Sequence, residues 1–144
     1  MISDAHAGRS YPPTEPYEVT RAKVAEFAAA LGDDNPAYRG DAPIAPPTFA
    51  AVIAGQAWGA LWSDDELGLE LRRIVHGDQR ISHRRPLRAG DLVTATPTID
   101  KVRNRGGVDI INSSVVLSSV DGEEICTASS TFMHTRPADQ QEQQ

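Results

Sequence analysis

The chain has 144 residues, a formal net charge of −6 and one cysteine, Cys126. This length suits one domain with a single core, and the acidic balance excludes nucleic-acid binding by bulk charge. One cysteine rules out an internal disulfide and fits a reducing compartment, so we expect a cytoplasmic protein without a nucleic-acid partner.

The two ends of the chain differ in composition from its middle. Residues 1–10 carry charged side chains and lack the apolar run of a secretory signal, which predicts a flexible N-terminal segment. Residues 137–144 end in Gln-Gln-Glu-Gln-Gln, a composition typical of disorder. Residues 11–136 are therefore predicted to form the single folded domain.

The first predicted element is an amphipathic helix that follows Thr20. Threonine is a favoured N-cap residue, and Gly32 supplies the left-handed conformation that often ends a helix. The apolar positions between them follow the i, i+3, i+4, i+7 spacing of one helical face. These positions are Val24, Phe27, Ala28 and Leu31.

A second predicted helix lies in the stretch 42–63, which has no charged residue. Pro46 and Pro47 suit the first turn of a helix, where a missing N–H does no harm. The helix predicted over about 48–62 is shorter than the ~20 residues that cross a bilayer, and acidic residues flank the stretch. We therefore expect a buried core helix and no membrane contact.

Four segments rich in Val, Ile and Thr follow and are predicted strands: 71–83, 92–102, 108–120 and 124–135. Asn104–Gly107 suits a short hairpin turn and Asp121–Gly122 a two-residue one, so we expect an antiparallel meander. Within the third segment, alternation predicts that both faces of the strand are partly apolar. One face carries Ile111, Val115 and Leu117, and the other carries Ile110, Val116 and Val120. One face is expected to wrap the buried helix and the other to meet a second subunit. Helices followed by antiparallel strands indicate the α+β class.

Four separated segments carry a resemblance to a known family. They are Gly-Asp-Asp-Asn-Pro at 32–36, Tyr-Pro-Pro-Thr at 11–14, Ile-Ala-Pro-Pro-Thr-Phe at 44–49 and Val-His-Gly-Asp-Gln at 75–79. With the order of the elements, they resemble the MaoC-like hot-dog dehydratase family, specifically its N-terminal-type dehydratase domain. The similarity extends to the non-catalytic subunit of actinobacterial (R)-3-hydroxyacyl-ACP dehydratase heterodimers. It implies a hot-dog fold, in which a curled antiparallel β-sheet wraps a long central helix.

The resemblance also implies a chemistry, the reversible syn elimination of water from an (R)-3-hydroxyacyl thioester. Catalytic relatives use an aspartate and a histidine as the acid/base pair, with N–H donors at the helix start. Here Asp33 matches the aspartate and Asn35 its loop, but Tyr38 stands where the histidine belongs. A phenol titrates at about 10 against about 6.5 for imidazole, so it is a poor base at neutral pH. Asp33 also suits a purely structural role, because aspartates after a helix often bond nearby backbone N–H groups.

The helix start departs from the family pattern too. Pro46 and Pro47 replace a His-Gly pair, and because proline has no N–H, the donors expected to bind substrate move to Thr48 or Phe49. His76 and Asp78 are two residues apart on a predicted strand, so their side chains are expected to share a face. They are candidates for a replacement pair or for substrate binding, although a structural role for the histidine is the simpler interpretation. The sequence contains no recognisable zinc-site spacing and no recognisable cofactor-binding motif.

These observations predict a substrate-binding, catalytically degenerate subunit of an (R)-3-hydroxyacyl-thioester dehydratase in fatty-acid synthesis. The expected ligand is an acyl-ACP or acyl-CoA thioester, and the expected partner is a catalytic MaoC-like subunit in a dimer. One alternative is an active homodimeric hydratase that uses Asp33 with Tyr38 or His76. A second alternative is a non-enzymatic acyl-thioester binding module.

Overall fold

The computed structural model of the chain describes residues 1–137. Its helices are α1 (Arg21–Leu31), α2 (Ala50–Ala57) and α3 (Gly59–Trp62), and its strands are β1 (Tyr17–Glu18), β2 (Ile74–His83), β3 (Leu92–Arg105), β4 (Val108–Ser119) and β5 (Glu124–Thr135). Short 3-10 helices occupy Asp4–His6, Pro36–Tyr38, Pro47–Phe49 and Leu71–Arg73. The tail predicted to be disordered begins at residue 137, and its residues 138–144 lie outside the described part of the chain.

The five strands form one antiparallel sheet in the order β1-β3-β4-β5-β2. The sheet curls around α2, which contacts β3, β4 and β5. This confirms the predicted α+β architecture of a curled antiparallel sheet around a helix. Alternation along β4 behaves as predicted, since Ile111, Val115 and Leu117 are fully buried against the helix side.

Apolar burial between the helices and the sheet holds the domain together. Ile53 and Leu61 on the helix side are fully buried, as are Ile99 and Ile125 on the sheet. Each such side chain contributes roughly 1.5–3 kcal/mol relative to an exposed one. The core is therefore one continuous layer between α2, α3 and the concave face of the sheet.

Local signals at both ends of α1 act as predicted. Thr20 Oγ1 accepts a hydrogen bond of 3.1 Å from the Lys23 N–H, and Gly32 adopts a left-handed φ of 67°. Val24 is buried. Leu31, the last residue of the helix, is 52% exposed, so the predicted apolar stripe is buried only over its earlier turns.

The buried helix is shorter and less regular than predicted. Instead of one helix over 48–62, a 3-10 turn precedes α2, and Trp58 separates α2 from α3. Gly59 directly follows the break, and glycine is a poor helix former. The Trp62 N–H donates a hydrogen bond of 3.3 Å to the Trp58 carbonyl, so one helical i to i−4 bond links the residue at the break to the end of α3. Within residues 1–137, no helix combines the length and apolarity needed to span a membrane.

Both hairpin turns differ in length from the prediction. β3 continues to Arg105, which leaves a two-residue turn at Gly106 and Gly107, with φ values of 55° and 75°. Two successive positive φ angles match the right-handed twist of the strands and favour glycine at both positions. The turn between β4 and β5 instead spans residues 120–123, because the Ser119 N–H bonds the Glu123 carbonyl.

The packing of the first ten residues differs from the flexible segment that their composition predicts. Ile2 is 1% exposed, and its N–H donates to the Leu67 carbonyl at 2.7 Å. Further along, the Gly8 N–H bonds the Ile99 carbonyl and Ser10 forms a β-bridge with Thr98. One apolar side chain and the backbone bonds to β3 therefore fix a segment whose composition is polar.

Candidate functional site

The loop after α1 uses its polar side chains to shape its own backbone. Asp33 Oδ1 accepts the Asn35 N–H at 3.0 Å, and Asn35 Oδ1 accepts the Ala37 N–H at 3.0 Å. Both side chains are exposed, whereas Tyr38, at the end of the loop, is 7% exposed. The carboxylate of Asp33 thus has the turn-forming role that aspartates commonly take after a helix.

Tyr38 lies in the wall of both cavities that the motif residues Asp33 and Asn35 line. One, of about 270 Å³, lies between α1 and the loop and has both Asp33 and Tyr38 in its wall. The other, of about 320 Å³, lies where the loop, the start of the buried helix and the end of β2 converge; we call it the strand-end cavity. Its wall is mostly apolar, with polar and cationic groups among it: Asn35, Tyr38, Ile44, Ala45, Pro47, His83, Arg84, Arg85 and Pro86.

The arginines of the strand-end cavity are already paired with carboxylates. Arg84 Nε lies 3.0 Å from a Glu124 oxygen, and Arg85 lies 2.8 Å from Asp91 and 3.0 Å from Glu123. Their charge is largely balanced within the chain. The cavity therefore suits a neutral, mainly apolar ligand with a few hydrogen-bonding atoms.

The two residues predicted at the helix start have different environments. Thr48 is exposed. Phe49 is fully buried, its ring meets Phe27 edge to face at 5.3 Å, and its N–H already donates to the Pro46 carbonyl at 2.9 Å. Phe49 is a core residue and does not line the strand-end cavity, so of the two only Thr48 keeps an exposed position for binding.

His76 and Asp78 do not share a face, contrary to the prediction. A β-bulge between them leaves His76 opposite Phe132 and Asp78 opposite Thr131 on β5. Because Phe132 and Thr131 are consecutive, they point to opposite sides of the sheet, and so do their partners. His76 lies on the Phe132 side of the sheet, with its ring 5.2 Å from Trp58 and 4.8 Å from Phe132. The residue is nevertheless exposed, and its Nε2 lies 3.1 Å from the Asp78 carbonyl oxygen.

His83 is the polar residue of the strand-end cavity that the sequence did not indicate. Its Nε2 lies 2.9 Å from the Pro47 carbonyl, which joins the end of β2 to the start of the buried helix. Among residues 1–137, its buried Nδ1 has no hydrogen-bond partner. The available signal was the alternation of β2 after the bulge, which turns Gln79, Ile81 and His83 toward the helix.

A second polar cluster lies at the far end of the sheet from Tyr38, and its Asn104 also lines a separate cavity of about 530 Å³. Asp109 is fully buried and accepts hydrogen bonds from Arg136, His134 and Asn104. His134 Nε2 accepts the Glu70 N–H at 3.3 Å. Every member has partners inside the protein, so the cluster is structural. No group of three or more potential metal ligands occurs in the part of the chain that the structure describes.

Sequence and fold both resemble those of proteins described as dehydratases. Residues 5–128 match the family model described as FAS1-like, dehydratase domain region. A UPF0336 protein of Cutibacterium acnes is 55% identical over 136 residues, which cover 94% of this chain and 96% of the relative.

Two solved structures share the architecture. A chain of the C-terminally truncated HadBC (3R-hydroxyacyl-ACP dehydratase) complex from Mycobacterium tuberculosis has a TM-score of 0.79 at 28% identity, over 89% of this chain and 96% of that one. A MaoC-like dehydratase has a TM-score of 0.82 at 24% identity, over 94% of this chain and 44% of that one. The second likeness shows a common hot-dog fold.

Proposed function

Since the chain belongs to the family of FAS1-like dehydratase domain regions, we propose that it is a subunit of an (R)-3-hydroxyacyl-thioester dehydratase. In this proposal it binds the acyl thioester of ACP or CoA and forms a dimer with a catalytic MaoC-like subunit. The similarity to a chain of the HadBC dehydratase complex supports a place within a two-subunit enzyme.

The environment of Asp33 is the observation that carries the proposal. Its carboxylate is exposed and accepts a backbone N–H of its own loop, and Tyr38 replaces the histidine that would complete an acid/base pair. The carboxylate is open to water and already serves its own turn, and the side chain at position 38 is a phenol instead of an imidazole. The pair at 33 and 38 is therefore proposed to be degenerate, and the partner supplies the main catalytic groups.

The free edge of β2 supports the proposed dimer. β2 lies at one end of the sheet, and no segment within residues 1–137 pairs with its outer edge. Exposed apolar side chains lie beside it, since Val75 is 59% exposed and pairs across the sheet with Met133, which is 37% exposed. An unpaired edge strand with exposed apolar groups is a ready template for another chain.

The strand-end cavity is the proposed contact with the acyl thioester. His83 belongs both to its wall and to β2, so a subunit docked on the β2 edge would lie next to the cavity. Apolar walls at Ile44, Ala45 and Pro86 suit an acyl or pantetheine chain, while Asn35 and Tyr38 offer hydrogen bonds to its polar atoms.

The test is hydration of a trans-2-enoyl-CoA by the purified chain, by a MaoC-like protein that keeps the aspartate and histidine, and by the two co-expressed. We expect no turnover beyond a trace from the chain alone and a rate for the complex that exceeds that of the partner. Rapid turnover by the chain alone, abolished by Asp33→Asn, would instead establish an active homodimeric hydratase. Binding of acyl-CoA without any gain on adding the partner would establish a non-enzymatic binding module.

A further inference from the structure

The outer edge of β2 presents a row of unpaired backbone groups. Just past the end of the strand, the Arg84 N–H donates to the Ile125 carbonyl at 2.9 Å, back toward β5. Because backbone groups alternate in direction along a strand, those of His83, Ile81 and Gln79 point away from β5. Gln79 therefore offers an N–H donor and a C=O acceptor at an edge that no segment within residues 1–137 covers.

Two opposite charges flank Gln79 on the outer face of the sheet. Asp78 lies opposite Thr131 and Arg80 lies opposite Ser129 on β5, so the two side chains project from the same face. Both residues are exposed, and within the described part of the chain neither side chain has an ion pair or a hydrogen bond. Apart from its two histidines, β2 has no other ionisable residue.

A second copy of β2 can cover this edge in only a few registers. Two identical chains that close into a pair are related by a twofold axis, so their edge strands run antiparallel and one residue faces its own copy. With Asp78 or Arg80 on the axis, like charges face each other, which is destabilising. With Gln79 on the axis, Asp78 of each chain faces Arg80 of the other, and residues 75–83 of the two copies overlap. Among the twofold registers, this one pairs unlike charges of β2 and uses almost the whole strand.

We propose that the outer edge of β2 is self-complementary and joins two copies of this chain into a twofold homodimer centred on Gln79. The Gln79 N–H of each copy donates to the Gln79 carbonyl of the other. On the outer face, Asp78 of each copy forms an ion pair with Arg80 of the other. Opposite charges that face each other on neighbouring strands stabilise a sheet, and the twofold symmetry forms both ion pairs at once.

The homodimer and the heterodimer of the proposed function use the same edge, so each excludes the other. A chain paired with its own copy has no free β2 edge for a catalytic subunit, and the homodimer must dissociate before that subunit docks. Self-association therefore regulates how much of the chain is available to its partner. This consequence rests on the proposed function, whereas the homodimer itself rests on the free edge and its two charges.

Analytical ultracentrifugation of the purified chain tests the homodimer in the absence of any partner. We expect a concentration-dependent equilibrium between monomer and dimer. Asp78→Arg sets two cations against each other in the interface and Arg80→Asp sets two carboxylates against each other. Each substitution should raise the dissociation constant by on the order of 10-fold or more. The double variant Asp78→Arg/Arg80→Asp exchanges the two charges, keeps unlike charges opposite each other and should regain the wild-type dissociation constant.

A mixture of the two single variants gives a further measurement. One variant carries two positive charges at these positions and the other carries two negative charges, so they should associate with each other more tightly than either does with itself. Arg103→Asp is the matched control, because it makes the same change of charge as Arg80→Asp at an exposed position of β3, two strands away from β2. Charges more than ~8 Å apart are largely screened at physiological ionic strength, so this control should leave the dissociation constant unchanged. Far-UV circular dichroism establishes that each variant is folded.

The outcomes are distinguishable from those of the proposed function. A chain that stays monomeric at its highest soluble concentration overturns the homodimer, and so does a dimer that the single substitutions leave unchanged or that the double variant fails to restore. An assembly that holds two copies of this chain through β2 together with a partner on the same edge overturns their mutual exclusion. Enoyl-CoA hydration with an intact MaoC-like partner tests the proposed function separately, and its absence leaves the evidence for the homodimer intact.

Discussion

His134 Nδ1 lies 3.0 Å from Asp109 Oδ2 in the interior of the protein, and both residues are at most 2% exposed. Burial opposes ionisation of Asp109, but hydrogen bonds from Arg136, His134 and Asn104 outweigh it and hold the pKa of this carboxyl below its usual value. The cluster joins the end of β3, the start of β4 and the end of β5.

Substitution of Asp109 by asparagine should destabilise the protein strongly at neutral pH. The substitution breaks the buried ion pair between Asp109 and Arg136 by removing the carboxylate, and breaking a buried pair in this way costs about 3–5 kcal/mol in other proteins. Since the folded-state pKa of Asp109 is lowered, its stabilisation is present above the unfolded-state pKa and is lost as pH falls through the folded-state pKa. Urea unfolding should therefore show a gap between wild type and Asp109→Asn that is largest near neutral pH and narrows in acid.

Asp34→Asn is the matched control for that measurement. Asp34 also pairs with an arginine, Arg39, at 2.7 Å, but its side chain is 94% exposed. Exposed pairs contribute little, so the change in unfolding free energy should stay within about 0.5 kcal/mol. Equal effects of the two substitutions would contradict the assignment of Asp109 as a structural anchor.

Val75→Glu should weaken association with the partner subunit. A charge at this exposed position beside the free edge of β2 would have to be desolvated in the proposed interface. Analytical ultracentrifugation of the mixed subunits measures the shift in affinity. Val120→Glu is the control, because Val120 is similarly apolar and 49% exposed but lies in the turn between β4 and β5. Equal weakening by both would argue against β2 as the docking edge.

Asp33→Asn should leave both the fold and the activity of the complex intact. The asparagine Oδ1 still accepts the Asn35 N–H, so the turn keeps its hydrogen bond. The unfolding free energy should change by less than about 0.5 kcal/mol. A fall of a hundredfold or more in the hydration rate of the complex would show that the carboxylate acts in catalysis.

Cys126 should be inert toward thiol reagents in the folded protein. The residue is fully buried, and burial raises the pKa of its thiol to about 11, so almost no thiolate is present near neutral pH. Labelling with a chromogenic disulfide should be slow in buffer and accelerate through the urea unfolding transition. Fast stoichiometric labelling without denaturant would contradict this packing.

The features that could be predicted from sequence are those that local chemistry determines. Thr20 caps α1 through a donor only three residues away, and alternation along β4 follows directly from strand geometry. Cys126 lies in β5, where buried and less buried positions also alternate over most of the strand. The break at Trp58 was not visible, because it depends on how α2 and α3 pack against the sheet.

The candidate site was harder to predict because it depends on contacts between distant residues. The bulge after His76 reverses which face Asp78 occupies, and a bulge leaves no alternation signal of its own. His83 meets Pro47 across 36 positions of sequence, a contact that only the folded chain reveals. Asp33 and Asn35 form the predicted loop, and the hydrogen bond from the Asn35 N–H to Asp33 is of the local kind that the structural alternative for Asp33 describes.

The N-terminal segment also limits how large an assembly can become. Its backbone bonds run along β3, from Gly8 beside Ile99 to Thr14 beside Ala95, so that side of the sheet is already occupied. Within residues 1–137, strand addition can then extend the sheet at the outer edge of β2, and in the proposed dimer that edge would be covered. In that dimer, growth by edge pairing would stop at a closed pair instead of continuing into a fibre. Deleting the first ten residues would uncover the part of β3 near Ile99, while the bonds of Tyr11 and Thr14 to β3 would remain.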